Sequence, residues 1–151
     1  MAAYAPFLMS LILIAAMAIE MRDGRLPNWL TMVPFVLFIA LIVTSPDPAA
    51  FAGRLIGAAI VFVIGLVLFA FAGFGAGAVK LLTGLALFIP ADKALATFAI
   101  FIVTMFVGTF IILQVHKRFA SEGSKWVILN KRVLPMSLPI GIAGLCAFWL
   151  I

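Results

Sequence analysis

Long apolar runs separated by short polar breaks dominate this sequence. Residues 3–19, 29–44, 54–72, 94–115 and 135–151 are each nearly free of charge, and a shorter run covers 79–89. A hydrocarbon core of about 30 Å takes roughly 20 helical residues to cross, so these runs read as membrane spans. Helix is the expected conformation, because lipid offers backbone N–H and C=O groups no outside partner. Composition excludes the other classes. The chain is 67% hydrophobic and 10% charged, with a mean hydropathy of +1.36. A soluble domain carries roughly 45–50% apolar residues, and a disordered chain is apolar-poor and charge-rich. The expected fold class is all-α: a polytopic membrane helix bundle of about six transmembrane helices, the fourth short, in a single domain over residues 1–151.

The net charge of +5 and the pI near 10.0 would suggest nucleic acid in a soluble protein. Between membrane spans the same lysines and arginines instead report orientation, and no nucleic-acid partner is expected. If 79–89 crosses the bilayer, Arg22, Arg25, Lys80, Lys117, Arg118, Lys125, Lys131 and Arg132 share one face, with only Arg54 and Lys93 opposite. That arrangement satisfies the positive-inside rule, makes the basic face cytoplasmic and leaves both termini outside. The first run has no preceding Lys or Arg, unlike the basic n-region of a secretory signal, and is expected to be retained. Cys146 is the only cysteine, so no intrachain disulfide can form. His116 has no Cys or second His beside it; neither a metal nor a cofactor is expected. The segment 116–132 mixes five basic residues with Trp126, Val127, Ile128 and Leu129, a pattern suited to the membrane surface and to anionic lipid.

Few residues remain that could carry chemistry. Glu20 ends an apolar run, where a carboxylate is costly unless it reaches water, a partner or a substrate. Its bland reading is an interfacial helix-end carboxylate. Asp23, beside Gly24, belongs to a solvated turn, and Arg22 and Arg25 read as topological charges. Pro27 suits a helical first turn, so Asn28, Trp29 and Thr31 begin the second span, Trp29 as an interfacial anchor. In GFGAGAVK (73–80), three glycines within five residues permit positive φ and close backbone approach, as in a loop between spans; a small-residue helix contact is the alternative. Lys80 either snorkels to headgroups or serves that loop. The orientation arithmetic puts the 20–28, 73–80 and 116–132 loops on one face, where the polar ends of spans one and four can meet. A transporter would need polar groups near the bilayer midplane, and the spans offer little beyond Ser10, Thr97, Thr104 and Thr109.

At these residues the chain resembles the prepilin peptidases, or type IV leader peptidases, in the short Tad/Flp form without a methyltransferase region. The family's Asp six residues before Ile/Leu-Pro-Asn is echoed by Glu20, Leu26, Pro27 and Asn28, followed by Leu30 and Thr31. Its GxGDxK motif is echoed by Gly75, Gly77 and Lys80, and a late Pro-Tyr-Gly block only loosely by Leu138-Pro139-Ile140-Gly141. The resemblance implies an intramembrane-type aspartic endopeptidase of the bacterial inner membrane. Such an enzyme cleaves the basic leader of a prepilin at the cytoplasmic face, just before its hydrophobic segment. Two close carboxyls share a proton there, one activating water while the other protonates the carbonyl oxygen or the leaving amine. Gly75 and Gly77 would shape the second loop. Lys80 would orient it or lower the pKa of the neighbouring carboxyl.

The chain departs from this pattern at the two aspartates. The first corresponds to Glu20, one methylene longer, and the second to Ala78, which has no carboxyl. A displacement of about 1 Å can cost roughly 10²-fold in rate, and loss of one carboxyl removes the shared-proton mechanism. Asp23 has the wrong spacing to Pro27, and Asp92 lies in an opposite loop. Ala78 is compatible with an introduced knockout or with a natural pseudopeptidase that binds prepilin or pilus machinery without cutting. The chain as written is expected to be inactive or crippled.

Overall fold

In the computed structural model, residues 4–119 and 134–151 are described, and all of their regular structure is helical. The apolar runs become α1 (Ala5–Asp23), α2 (Asn28–Val43), α3 (Ala52–Ala72), α4 (Ala76–Ala86), α5 (Ala91–Phe119) and α6 (Ser137–Trp149), with a 3-10 turn at Pro48–Phe51 leading into α3. The chain is a helical membrane bundle. Three segments, Ala5–Asp23, Pro48–Phe71 and Ala91–Gln114, are long and apolar enough to cross a membrane; α2, α4 and α6 are shorter apolar helices. Most of the basic segment assigned to the membrane surface lies outside the described residues, and its first part, 116–119, continues α5.

Two helix ends differ from the sequence expectation. Glu20–Asp23 belongs to α1 rather than to a loop, because the chain reverses only at Gly24, whose φ of 68° closes α1 through its N–H to the Glu20 carbonyl at 2.8 Å. The second polar segment is likewise a loop only over 73–75. Gly73 takes the positive φ, again 68°, while Gly75 keeps an ordinary φ of −67° and precedes the first turn of α4. Gly77, Ala78 and Lys80 are therefore helical residues.

At 11 residues α4 is only about 16 Å long, too short to face lipid across a bilayer. It occupies the middle of the bundle instead, with Ala78, Val79, Leu81, Thr83, Gly84 and Leu85 all buried. Its neighbours approach at glycines. A Cβ at Gly65 of α3 would fall 2.7 Å from Val79 Cγ1, and one at Gly84 would fall 2.8 Å from Pro34 Cβ of α2. One at Gly144 of α6 would lie 2.9 Å from Leu85 Cδ1 and 2.6 Å from Leu13 Cδ1 of α1. Close backbone approach through small residues is how helices associate where lipid removes the hydrophobic drive. The large apolar residues left outside, among them Ile56, Phe62 and Val63 of α3 and Val103, Phe106 and Phe110 of α5, form the lipid-facing wall.

Contacts along the helices set their directions. Trp149 Nε1 donates to Ser10 Oγ at 3.0 Å at one end of the α1–α6 pair, while the end of α1 meets the start of α6 at the other. Successive helices alternate, so the ends of α1, α3 and α5 gather with the starts of α2, α4 and α6. At the opposite end, the Phe38 ring packs edge-on against Phe51 and Phe88, each at 5.7 Å between centroids. Five hydroxyls within the spans are satisfied by their own helices: Ser10, Thr83, Thr97, Thr104 and Thr109 each donate to the carbonyl four residues back, at 2.7–2.8 Å. Among the described residues, Ser10, Thr97, Thr104 and Thr109, the hydroxyls a transporter path could have used, are thus engaged within their own helices.

Candidate functional site

The end of the bundle where α1 finishes and α2, α4 and α6 begin collects the residues singled out from the sequence. Glu20, in the last turn of α1, is half-buried, and its Oε2 accepts the backbone N–H of Ser137 at 2.7 Å. Ser137 opens α6. A carboxylate at a helix start satisfies an N–H that has no partner within the helix and meets the positive end of the helix dipole. Ser137 is fully buried, and its Oγ has no hydrogen-bond partner. This residue was not a sequence candidate. The only signal was its place immediately before the loosely matching Leu138-Pro139-Ile140-Gly141, a block that packs along α1: a Cβ at Gly141 would fall 2.5 Å from Met17 Sδ.

The 24–28 connection lies against the start of α4. Leu26 and Pro27 are half-buried, and a Cβ added at Gly77 would lie 2.9 Å from Leu26 Cβ. That neighbour is anchored directly to its backbone, so the contact cannot be relieved by rotating a side chain. Lys80 Nζ donates to Asn28 Oδ1 at 3.0 Å, tying α4 to the start of α2 across 52 residues of sequence. This bond links the second motif to the first. No ion pair joins Lys80 to Glu20, since among the described residues the salt bridge is Arg22–Asp23, 3.4 Å apart and exposed. The two glycines of the GxG element have different roles. Gly77 permits the approach to Leu26, whereas a Cβ at Gly75 would meet nothing within 4 Å. Gly77→Val should accordingly lower the thermal midpoint in detergent by several degrees, an over-packing cost of about 1–3 kcal/mol. Gly75→Ala should leave it unchanged, and equal responses at the two positions would show that the Leu26 contact is unimportant.

Ala78 points into the core and is 2% exposed. Glu20 and Asp23 are the described acidic residues at this end, and Asp23 is exposed beside Arg22. Asp47 and Asp92 stand at the opposite end, Asp47 accepting the Ala49 N–H at 3.1 Å and Asp92 in the first turn of α5. Among the described residues the site thus has one half-buried carboxylate, already engaged with α6, and no second carboxyl placed to share a proton with it. Among the described residues no group of three His, Cys, Asp or Glu could hold a metal ion.

Residues 7–113 match the type IV leader peptidase family, a span that takes in both the 20–28 and 73–80 elements. The chain belongs to this family. Its members are aspartic peptidases, which places the chain among membrane peptidases at that level of description. Searches among curated proteins and among solved structures found no match. In this leader peptidase scaffold, the GxG element spans the entry and first turn of the short central α4, and the last turn of α1 carries Glu20. The packing described above holds both at one end of the bundle.

Proposed function

We propose that this chain is a leader peptidase scaffold of the short Tad/Flp type, seated in a bacterial inner membrane, that receives a prepilin at its cytoplasmic face and, with alanine at position 78, does not cleave it. Glu20 and Ala78 stand at the two aspartate positions. Leu26, Pro27, Asn28, Gly77 and Lys80 hold the two elements in register, and Gly75 shapes the entry into α4. The observation that carries this reading is Ala78: a buried methyl group at the second acidic position, with no described carboxyl placed to substitute for it. An aspartic mechanism needs one carboxyl to activate water and another to supply a proton. One carboxylate does not provide both.

The basic side of the bundle is assigned to the cytoplasm on charge, where a leader would arrive. Because the leader is itself positive, the basic 116–132 segment serves orientation and lipid contact rather than leader capture. The second reading, a non-catalytic partner in pilus assembly, is favoured by the Glu20–Ser137 bond, which gives the surviving carboxylate a structural task.

Returning an acid to position 78 separates the two. The chain carrying Ala78→Asp, alone and with Glu20→Asp, is reconstituted in liposomes with a Flp-type prepilin, and leader release is followed by mass. Cleavage by Ala78→Asp and none by Ala78→Asn, a neutral residue of the same size, is the result expected of a disabled peptidase. Prepilin binding with no cleavage by any folded variant would instead establish the assembly-partner reading. Absence of both binding and cleavage would sink the prepilin assignment altogether.

A further inference from the structure

The two basic residues excluded from the basic face, Arg54 and Lys93, line one pocket at the end of the bundle away from the candidate site. Arg54 stands in the first turn of α3 and Lys93 in the first turn of α5, where the positive end of a helix dipole disfavours a cation. Neither has an acidic partner among the described residues. Arg54 lies over the Phe51 ring at 5.4 Å, and Lys93 Nζ reaches the Ala147 carbonyl at 3.4 Å. Asp47 and Asp92, the nearby acids, are exposed, and neither lines the pocket. The cavity, of about 260 Å³, is otherwise walled by apolar residues including Phe88, Pro90 and Phe148.

Arg54 and Ile89 also line a second cavity of about 260 Å³, which runs between α3 and α5 over α4. Its walls are almost wholly apolar, with Val61, Ala94, Phe98 and Phe101 among them. Gly53 and Gly57 line it too, and a Cβ at either would meet nothing within 4 Å. Elsewhere in the bundle the glycines of α3, α4 and α6 are consumed by close helix packing; here they leave open a groove that no group among the described residues fills.

The geometry points to a binding site for an anionic phospholipid, its phosphate between Arg54 and Lys93 and an acyl chain along the α3–α5 groove. Charge complementarity selects the occupant. Two uncompensated cations at two helix starts favour an anion, and the groove that begins at Arg54 accepts hydrocarbon only. The site is independent of the peptidase reading and lies in the leaflet opposite the candidate site.

Each basic side chain near an anionic headgroup contributes about a fivefold preference, so the pair implies roughly 30-fold selectivity for dioleoyl phosphatidylglycerol over dioleoyl phosphatidylcholine. Competition between these two lipids for the full chain in detergent, read by native mass spectrometry, tests it. Arg54→Gln with Lys93→Gln should reduce the preference to near unity, while Arg22→Gln with Arg25→Gln, at the other end, should retain it. Gly57→Phe, which fills the groove without meeting the core, should abolish phosphatidylglycerol binding while leaving the thermal midpoint in phosphatidylcholine unchanged. The proposal is overturned by equal binding of the two lipids or by a preference that survives the Arg54/Lys93 variant. A preference lost in the Arg22/Arg25 variant, or binding undisturbed by Gly57→Phe, overturns it as well.

Discussion

Gly84→Ala should destabilise the protein, although alanine is the better helix former. In an unconstrained helix interior the exchange gains about 0.8–1 kcal/mol. Here the new Cβ would stand 2.8 Å from Pro34 Cβ and 3.2 Å from its Cγ. A pyrrolidine ring has no rotamer by which to withdraw, and Pro34 is itself buried within α2. The helices α2 and α4 must separate, and over-packing of this kind costs about 1–3 kcal/mol. Set against the propensity gain, the net loss reaches about 2 kcal/mol, or a fall of up to about 8 °C for a domain of this size. Tryptophan fluorescence during heating in detergent measures it, with Gly53→Ala as the control, since a Cβ there meets open space. The same substitution should lower the midpoint at position 84 and leave it level or raised at position 53. A rise at both positions would refute close α2–α4 contact as the reason that α4 sits at the centre.

Substitution of Glu20 should have an effect of similar size and a revealing order. Removing its carboxylate by Glu20→Ala strands the N–H of a fully buried Ser137, and hydrogen bonds to charged groups contribute about 1.5–3 kcal/mol. Glu20→Gln keeps a carbonyl acceptor and loses only the charge at the start of α6, about 0.3–1 kcal/mol. Glu20→Asp is the informative case. Its side chain is about 1.5 Å shorter, which carries a 2.7 Å contact beyond hydrogen-bond range. Thermal midpoints should therefore fall in the order Glu, Gln, then Asp and Ala together, with the last pair roughly 5–10 °C below the parent. An aspartate variant as stable as the parent would mean that the extra methylene has no structural purpose here. The expected order also makes Ala78→Asp alone the primary test of restored cleavage, because adding Glu20→Asp loosens the joint between α1 and α6.

Much of the architecture was legible in the sequence because the bilayer couples helix number to hydropathy. Each run had to become a helix, and the alternation of crossings put Glu20, Asn28 and Lys80 at one end before any contact was known. That position 78 carries a methyl group and no carboxyl was equally visible, since it is residue identity alone; its correspondence to a family aspartate belongs to the proposed function. Helix ends were less legible. Segments 20–23 and 76–80 looked like loops because polar residues and glycines interrupt the apolar pattern, yet only Gly24 and Gly73 reverse the chain. A glycine between apolar residues has the same appearance whether it turns the backbone, as Gly73 does, or admits a neighbouring helix, as Gly77 does.

Partners across the bundle were not legible at all. The bond from Ser137 to Glu20 joins residues 117 apart, and the placing of Arg54 and Lys93 on one pocket depends on how α3 and α5 sit over α4. Helices in lipid are apolar on the faces that touch protein and on those that touch hydrocarbon, so no amphipathic stripe announces which side packs against which helix. The sequence by itself determined the helices, their alternation and the alanine at position 78, because these follow from local hydropathy, charge and residue identity. Only the tertiary structure decided that α4 is the buried centre, that the Glu20 carboxylate caps α6 and that two stray cations share a pocket. Those facts rest on close approach between surfaces whose hydropathy is the same.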